Sequence, residues 1–148
     1  MKTRLLPPTI FLLAVLLALG MHVLVPHRRI VPWPWRVLGA APLALGVLLN
    51  LWADRLFKQA DTTVKPFEKP RSFVVAGPFR FTRHPMYLGM TAILLGLCLL
   101  LGTITPFVVV PLFVLILSVV FIPAEERAMQ ERFDQEYRAY CQRVRRWL

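Results

Sequence analysis

A basic pair stands directly before a long apolar segment of this sequence. Arg83 and His84 precede Pro85, and proline is favoured at the first position of an α-helix. His84 is therefore predicted to cap a helix that begins at Pro85. The free N–H groups of a first helical turn attract anions, and an arginine and a histidine beside them strengthen that attraction. The pair is thus suited to binding a carboxylate or a similar anion.

Two adjacent carboxylates, Glu125 and Glu126, follow the same apolar segment. If they lie in the first turn of a helix, the helix dipole stabilises them by about 0.3–1 kcal/mol, which is a sufficient structural explanation. A binding site for a cation explains them equally well. Adjacent helical residues point about 100° apart, so at most one of the two faces a given ligand squarely.

The two groups are complementary, because one offers hydrogen-bond donors and the other offers acceptors. A ligand that carries both charges, such as an amino-acid headgroup or a sulfonium, would satisfy both. Residues 84–124, which separate the groups, contain no Asp, Glu, Lys or Arg. That length is about twice the 20 residues that one membrane span needs, and it is interrupted by Gly and Pro within residues 102–106. Two spans in this segment would return Glu125 to the membrane surface that holds His84.

The composition agrees with a membrane protein, since 57% of the 148 residues are hydrophobic. Soluble domains are usually about 45–50% apolar. We predict an all-α membrane protein with one domain over residues 1–148. Its parts are four transmembrane helices at about 5–26, 37–57, 86–102 and 106–124, a cytoplasmic loop at 58–85, and an amphipathic cytoplasmic helix at 125–147. Residues 17–20 make a poor signal-peptidase site, so the first span is expected to be retained.

The basic residues predict the orientation of these spans. Fifteen of the 18 lie before the first span, from the end of the second span (Arg55) up to the third span, or after the fourth span. The positive-inside rule therefore places both termini and the active site in the cytoplasm, with the spans in the inner or plasma membrane. The same rule explains the net charge of +10, so no nucleic-acid partner is expected. Cys98 and Cys141 do not suggest a disulfide or a metal site.

The C-terminal segment has one apolar stripe at helical spacing. It consists of Met129, Phe133, Tyr137, Tyr140, Val144 and Trp147. Arginines occupy the other sides of this helix, which suits anionic lipid headgroups. For most of these residues we expect the role of an amphipathic membrane anchor.

Several motifs resemble those of the isoprenylcysteine carboxyl methyltransferases, a family grouped with the phospholipid N-methyltransferases. The sequence Arg-His-Pro-Met-Tyr at residues 83–87, the apolar segment and Glu125-Glu126 are similar to that family's RHPxY–hydrophobic–EE pattern. The similarity extends upstream through residues 62–66 and 77–81, and downstream through residues 144–147. Asp134 stands where many members have Gly, which we expect to alter a local contact.

The resemblance implies an S-adenosylmethionine pocket on the cytoplasmic face. It implies cofactor binding by Arg83, His84, Tyr87, Gly89, Glu125 and Glu126, with Pro78 and Tyr137 as pocket walls. Arg83 and Glu126 are the expected catalytic residues, and no metal is implied. The acceptor would be a lipophilic small molecule or a lipid that enters from the membrane.

The implied activity is methyl transfer to a carboxylate, an amine or a thiol. An amine or thiol acceptor would need a base, for which His84 and Glu126 are the candidates. A noncatalytic, lipid-binding relative of the family is the alternative, favoured by Asp134 and by a chain shorter than the eukaryotic members.

Overall fold

The computed structural model describes residues 6–25, 28–60 and 73–148. Five α-helices occur in these ranges, namely α1 (Pro7–Leu24), α2 (Ala40–Gln59), α3 (Pro85–Leu101), α4 (Val109–Ile116) and α5 (Ile122–Arg143). Short 3-10 turns lie at Trp35–Gly39, Gly77–Arg80 and Thr105–Val108. No β-sheet forms within the described ranges, so the predicted all-α membrane fold is confirmed.

Three helical segments are long and apolar enough to cross a membrane: Pro7–Leu24, Trp35–Gln59 and Thr105–Arg143. The fourth apolar helix, Pro85–Leu101, has 17 residues, which is about the shortest length that spans a bilayer. Leucines on the outer faces of α1 and α2 remain more than half exposed, including Leu12, Leu16, Leu45 and Leu48. Contact with lipid tails costs such a surface no free energy, whereas contact with water does.

Helices α2 and α3 pack with their backbones in close contact at two pairs of glycines. A Cβ atom placed on Gly39 would lie 2.5 Å from the carbonyl oxygen of Gly96, and one on Gly46 would lie 2.4 Å from that of Gly89. Small residues allow this approach in membrane helices, where packing replaces the hydrophobic effect as the force between helices. The seam between α2 and α3 fixes α3 from one side.

The opposite side of α3 contributes to the main apolar core. Tyr87, Met90, Leu94 and Cys98 recur at helical spacing and are buried against Ala14 and Ala18 of α1 and against α4. Helix α3 ends at Gly102, whose positive φ of 72° and N–H bond to the Cys98 carbonyl stop the helix.

The last membrane helix runs into the C-terminal helix without a break. A π-helical turn, Leu117–Phe121, joins α4 to α5, and the N–H of Ile122 donates to the carbonyl of Leu117. Pro123, the second residue of α5, does not interrupt the helix. Proline lacks an N–H donor, and the wider π turn directly before it accommodates that loss. The helix therefore carries Glu125 and Glu126 out of the membrane, because its uncharged part ends at Ala124.

The apolar stripe of the C-terminal helix is mostly buried inside the protein. Tyr137, Tyr140 and Val144 form a second core with Phe73, and the Tyr140 hydroxyl donates to the carbonyl oxygen of Phe79 at 2.6 Å. The expected membrane-anchor role is therefore wrong for these three residues. The helix ends at Arg143 rather than 147.

Asp134 interrupts the regular geometry of α5. Its backbone has φ 22° and ψ −96°, a left-handed conformation that side chains other than glycine rarely adopt. The position where we expected an altered contact is thus a position of backbone strain. The side chain itself is 64% exposed and pairs with Arg138, one turn further along the helix.

Candidate functional site

The N-terminus of α3 and the start of α5 meet at one end of the helix bundle. Pro85 is the first residue of α3 and His84 is its N-cap, as the sequence predicts. Glu125 lies in the first turn of α5, and Glu126 follows it directly. The path through α3, α4 and the π turn thus brings together four charged side chains that lie about 40 residues apart in sequence.

Glu126 is the centre of a network of ion pairs. Arg83 donates from Nη1 to its Oε1 at 2.8 Å, and Arg146 donates from Nη2 to its Oε2 at 2.5 Å. The side chains of Arg83 and Glu126 are 16% and 14% exposed, whereas that of Arg146 is 44% exposed. Glu126 therefore holds one largely buried and one half-exposed guanidinium.

Glu125 has a different environment from its neighbour. It accepts a short hydrogen bond from the hydroxyl of Tyr87, and its Oε2 lies 3.5 Å from Nδ1 of His84. No lysine or arginine in the described part of the chain pairs with it. The sequence left open which carboxylate faces a ligand, and Glu125 is the one that no lysine or arginine among residues 6–25, 28–60 and 73–148 neutralises.

His84 lies between the two carboxylates, with a side chain only 9% exposed. Its ring stacks on that of Tyr87 at a centroid distance of 5.6 Å and an interplanar angle of 7°. Nε2 lies 3.5 Å from Oε1 of Glu126 but lacks the alignment of a hydrogen bond. Nε of Arg83 is also buried without a partner among the described residues. Buried polar atoms are nearly always satisfied, so these two N–H positions are available to a ligand.

Burial and charge act against each other on the pKa values of this cluster. Burial alone lowers the pKa of His84, but the adjacent carboxylates of Glu125 and Glu126 outweigh it and raise the pKa above 6.5. Burial alone raises the pKa of Glu126, but the adjacent His84 ring, the hydrogen bond from Arg146 and the charge of Arg83 lower it to about 2. The site therefore holds charged groups of both signs at neutral pH.

The segment after α5 folds back over the start of α3. Thr82 forms a parallel bridge with Arg145, and the N–H of Arg83 donates to the carbonyl of Arg145 at 3.0 Å. Trp147 packs against the apolar core of the bundle. From the sequence, Arg146 is assigned to the basic residues that set the topology and to the downstream family similarity, but its pairing with Glu126 is not predicted. The signal was its place in the C-terminal motif at residues 144–147.

The remaining predicted residues differ in how close they lie to this cluster. Pro78 is buried in the 3-10 turn that precedes Thr82. The backbone N–H of Thr82 donates to the carbonyl oxygen of Pro78. Tyr137 is buried next to Cys141, and Cys141 accepts a hydrogen bond from Nη1 of Arg83 at 3.1 Å. Both are therefore close to Arg83, and Cys141 is a neighbour that the sequence did not indicate.

Gly89 lies apart from the other predicted site residues. It faces α2, where the position of a Cβ atom would be 2.7 Å from Nδ2 of Asn50. Residues 87 and 89 are about 200° apart around a helix, so Gly89 and Tyr87 are on opposite sides of α3. The close packing of α2 on α3 is a sufficient reason for a glycine at this position. The predicted segment at residues 62–66 lies outside the described residues.

Comparison with known proteins gives two matches. The model of the phospholipid methyltransferase family matches residues 35–136, which is more than half of the chain. An uncharacterized protein of Haemophilus influenzae is 41% identical over 63 residues, which cover 43% of this chain and 100% of that protein. No solved structure matches the chain.

Proposed function

The chain belongs to the phospholipid methyltransferase family, and we propose that it transfers a methyl group from S-adenosylmethionine to a lipophilic acceptor in the membrane. The observation that carries the proposal is the cluster of Arg83, His84, Glu125 and Glu126 at the end of the bundle. Two arginines and a histidine hold one carboxylate there, and no lysine or arginine that the structure describes pairs with the second carboxylate.

The chemistry of these residues fits the charged groups of S-adenosylmethionine. The cofactor carries a carboxylate, an ammonium and a sulfonium, so its site needs both donors and acceptors. Nε of Arg83 and Nε2 of His84 are buried and have no partner within the described ranges, and they would bind the carboxylate. Glu125 would bind the ammonium or stabilise the sulfonium. When bound, the cofactor supplies an electrophilic methyl group on a positively charged sulfur.

The protein's part in the reaction is positioning and exclusion of water. Glu126 fixes the guanidinium of Arg83 and would thereby orient the donors that hold the cofactor. Tyr87 fixes Glu125 in the same way. Pro78 and Tyr137 would form the walls behind Arg83. The acceptor would arrive from the membrane side, opposite to the water-soluble cofactor.

The acceptor class determines whether a base is needed. Glu126 is a poor base because its pKa is about 2, which leaves His84 as the candidate. An amine or thiol acceptor would therefore react faster as pH rises through the pKa of His84, which is above 6.5. A carboxylate acceptor is already ionised and would show no such rise. A pH–rate profile with a His84→Gln control distinguishes these cases.

Equilibrium binding of S-adenosylmethionine to detergent-purified protein tests the proposed site. Arg83→Ala and Glu126→Gln should each weaken binding at least tenfold, which corresponds to about 1.4 kcal/mol. Arg132→Ala is the matched control, because it removes a charge from an exposed position of α5, the helix that carries Glu126. Normal binding by both site variants would refute the site. No binding by the wild type at millimolar cofactor would favour a noncatalytic relative.

The acceptor is accessible to a direct experiment. Membranes that contain the wild-type protein are incubated with methyl-labelled cofactor, and the lipids are extracted and separated. We expect label in a lipid fraction, and no label with the Arg83→Ala variant. Label recovered only in water-soluble products would contradict a lipophilic acceptor.

We also propose that both termini and the site are cytoplasmic. The uneven distribution of basic residues supports this orientation. Reporter fusions at the C-terminus test it: a reporter active only in the periplasm should stay inactive, and activity there would reverse the orientation.

A further inference from the structure

Thr82 lies between the start of α3 and the segment after α5, and it is almost completely buried. Its exposed fraction is 2%, and Thr103 is the other polar residue buried to this extent in the described part of the chain. Its Oγ1 donates to the carbonyl oxygen of Arg146 at 3.2 Å and accepts from the backbone N–H of His84 at 3.2 Å. A hydroxyl has one donor and two acceptor sites, so both bonds form at the same time.

These two bonds connect residues that meet again through their side chains. Arg146 pairs with Glu126, and the ring of His84 lies 3.5 Å from that same carboxylate. Thr82 therefore links the backbones of His84 and Arg146, whose side chains both lie at Glu126. His84 has φ −127° and ψ 62°, outside the regular regions, and its N–H is fixed by the Thr82 hydroxyl.

We propose that Thr82 is a positioning residue that sets the place of His84 and of the C-terminal segment for cofactor binding. The inference rests on the proposed function. Thr82 would not touch the cofactor. It acts by holding the His84 ring between the carboxylates and by keeping Arg146 at Glu126, so that the buried donors stay aligned.

A pair of substitutions separates the hydroxyl from the rest of the side chain. Thr82→Val is nearly isosteric but removes the hydroxyl, and it leaves the carbonyl of Arg146 and the N–H of His84 without their partner. Thr82→Ser removes a methyl group and keeps the hydroxyl. Both hydrogen bonds are lost in the valine variant and kept in the serine variant.

Two measurements on the full chain in detergent test the proposal. In the first, the Kd for S-adenosylmethionine should rise about tenfold in Thr82→Val and stay within about threefold of wild type in Thr82→Ser. In the second, hydrogen exchange without cofactor should be faster in Thr82→Val at the amides of Arg83 and His84 and in the peptide of residues 144–148. Thr82→Ser should retain wild-type protection.

The outcomes distinguish this inference from failure of the proposed function. If wild-type protein does not bind the cofactor, the proposed function fails, and the exchange measurement still decides whether Thr82 couples the two segments. If Thr82→Val loses stability but binds with wild-type affinity when folded, the residue is only structural and the inference is overturned. Equal loss of affinity in both variants would also overturn it, because the hydroxyl would then not be responsible.

Discussion

Replacement of Glu126 by Gln is expected to destabilise the protein as well as weaken cofactor binding. The substitution keeps the size of the side chain and removes its charge. It leaves the guanidinium of Arg83, whose side chain is 16% exposed, without a counter-charge, and it releases the half-exposed Arg146. Loss of one partner from a largely buried ion pair is costly because the other charge stays desolvated.

The pKa of Glu126 gives the size of the expected effect. A carboxyl group whose pKa falls from 4.5 to about 2 is stabilised in its charged form by about 3 kcal/mol. Solvent screens the part that comes from Arg146, since that side chain is 44% exposed. We therefore expect Glu126→Gln to lower the free energy of unfolding by about 2 kcal/mol at pH 7.

The pH dependence provides a second, independent test of the same reasoning. Because the folded pKa is lowered, the contribution of Glu126 is complete above about pH 4.5 and is lost as pH falls through about 2. The difference between wild type and Glu126→Gln should therefore shrink between these two values. Unfolding in mixed micelles measures it, with the exposed Glu131→Gln as control. A variant as stable as wild type at pH 7, or a difference independent of pH, would refute the ion-pair account.

Three further predictions concern other parts of the structure. Gly46→Ala should lower the free energy of unfolding by more than about 2 kcal/mol, because the added Cβ atom would overlap the backbone of α3. Gly20→Ala is the control: its Cβ atom would have no neighbour within 4 Å, so the free energy of unfolding should stay the same or rise by up to about 1 kcal/mol. Equal effects of the two substitutions would contradict the close packing of α2 on α3. Asp134→Gly should raise stability by about 1 kcal/mol by relieving the positive φ, and Asp134→Ala should not, in the same unfolding assay. The raised pKa of His84 means that its charged form stabilises the fold fully below pH 6.5 and that this stabilisation is lost as pH rises through the folded pKa. The melting temperature of the wild type should therefore fall as pH rises through this pKa, and a His84→Gln variant should not show that fall.

Features that depend on local rules could be predicted from the sequence. Pro85 at the first position of α3 and His84 as its cap follow from the conformational restriction of proline alone. The return of Glu125 and Glu126 to the same end of the bundle follows from the length of the uncharged segment. Both are consequences of spacing along the chain, so no knowledge of packing is needed to find them.

Features that depend on tertiary packing could not be predicted. The stripe at Tyr137 and Tyr140 looks the same in sequence whether it faces lipid or a protein core, and only the position of Phe73 decides between them. Arg146 is one of many C-terminal arginines, and its partner is set by the turn after Arg143. The π turn before Pro123 likewise compensates a proline by a backbone adjustment that the sequence does not indicate.

Under the proposed function, the glycine seam between α2 and α3 would also restrict the route by which an acceptor reaches the site. Gly39 and Gly46 bring the backbones of the two helices into contact at two levels of the bundle, which leaves no width for an acyl chain to pass between them. A lipid diffusing in the plane of the membrane is therefore excluded from that side. Under the proposed function, its lateral entrance would therefore lie away from the seam between α2 and α3.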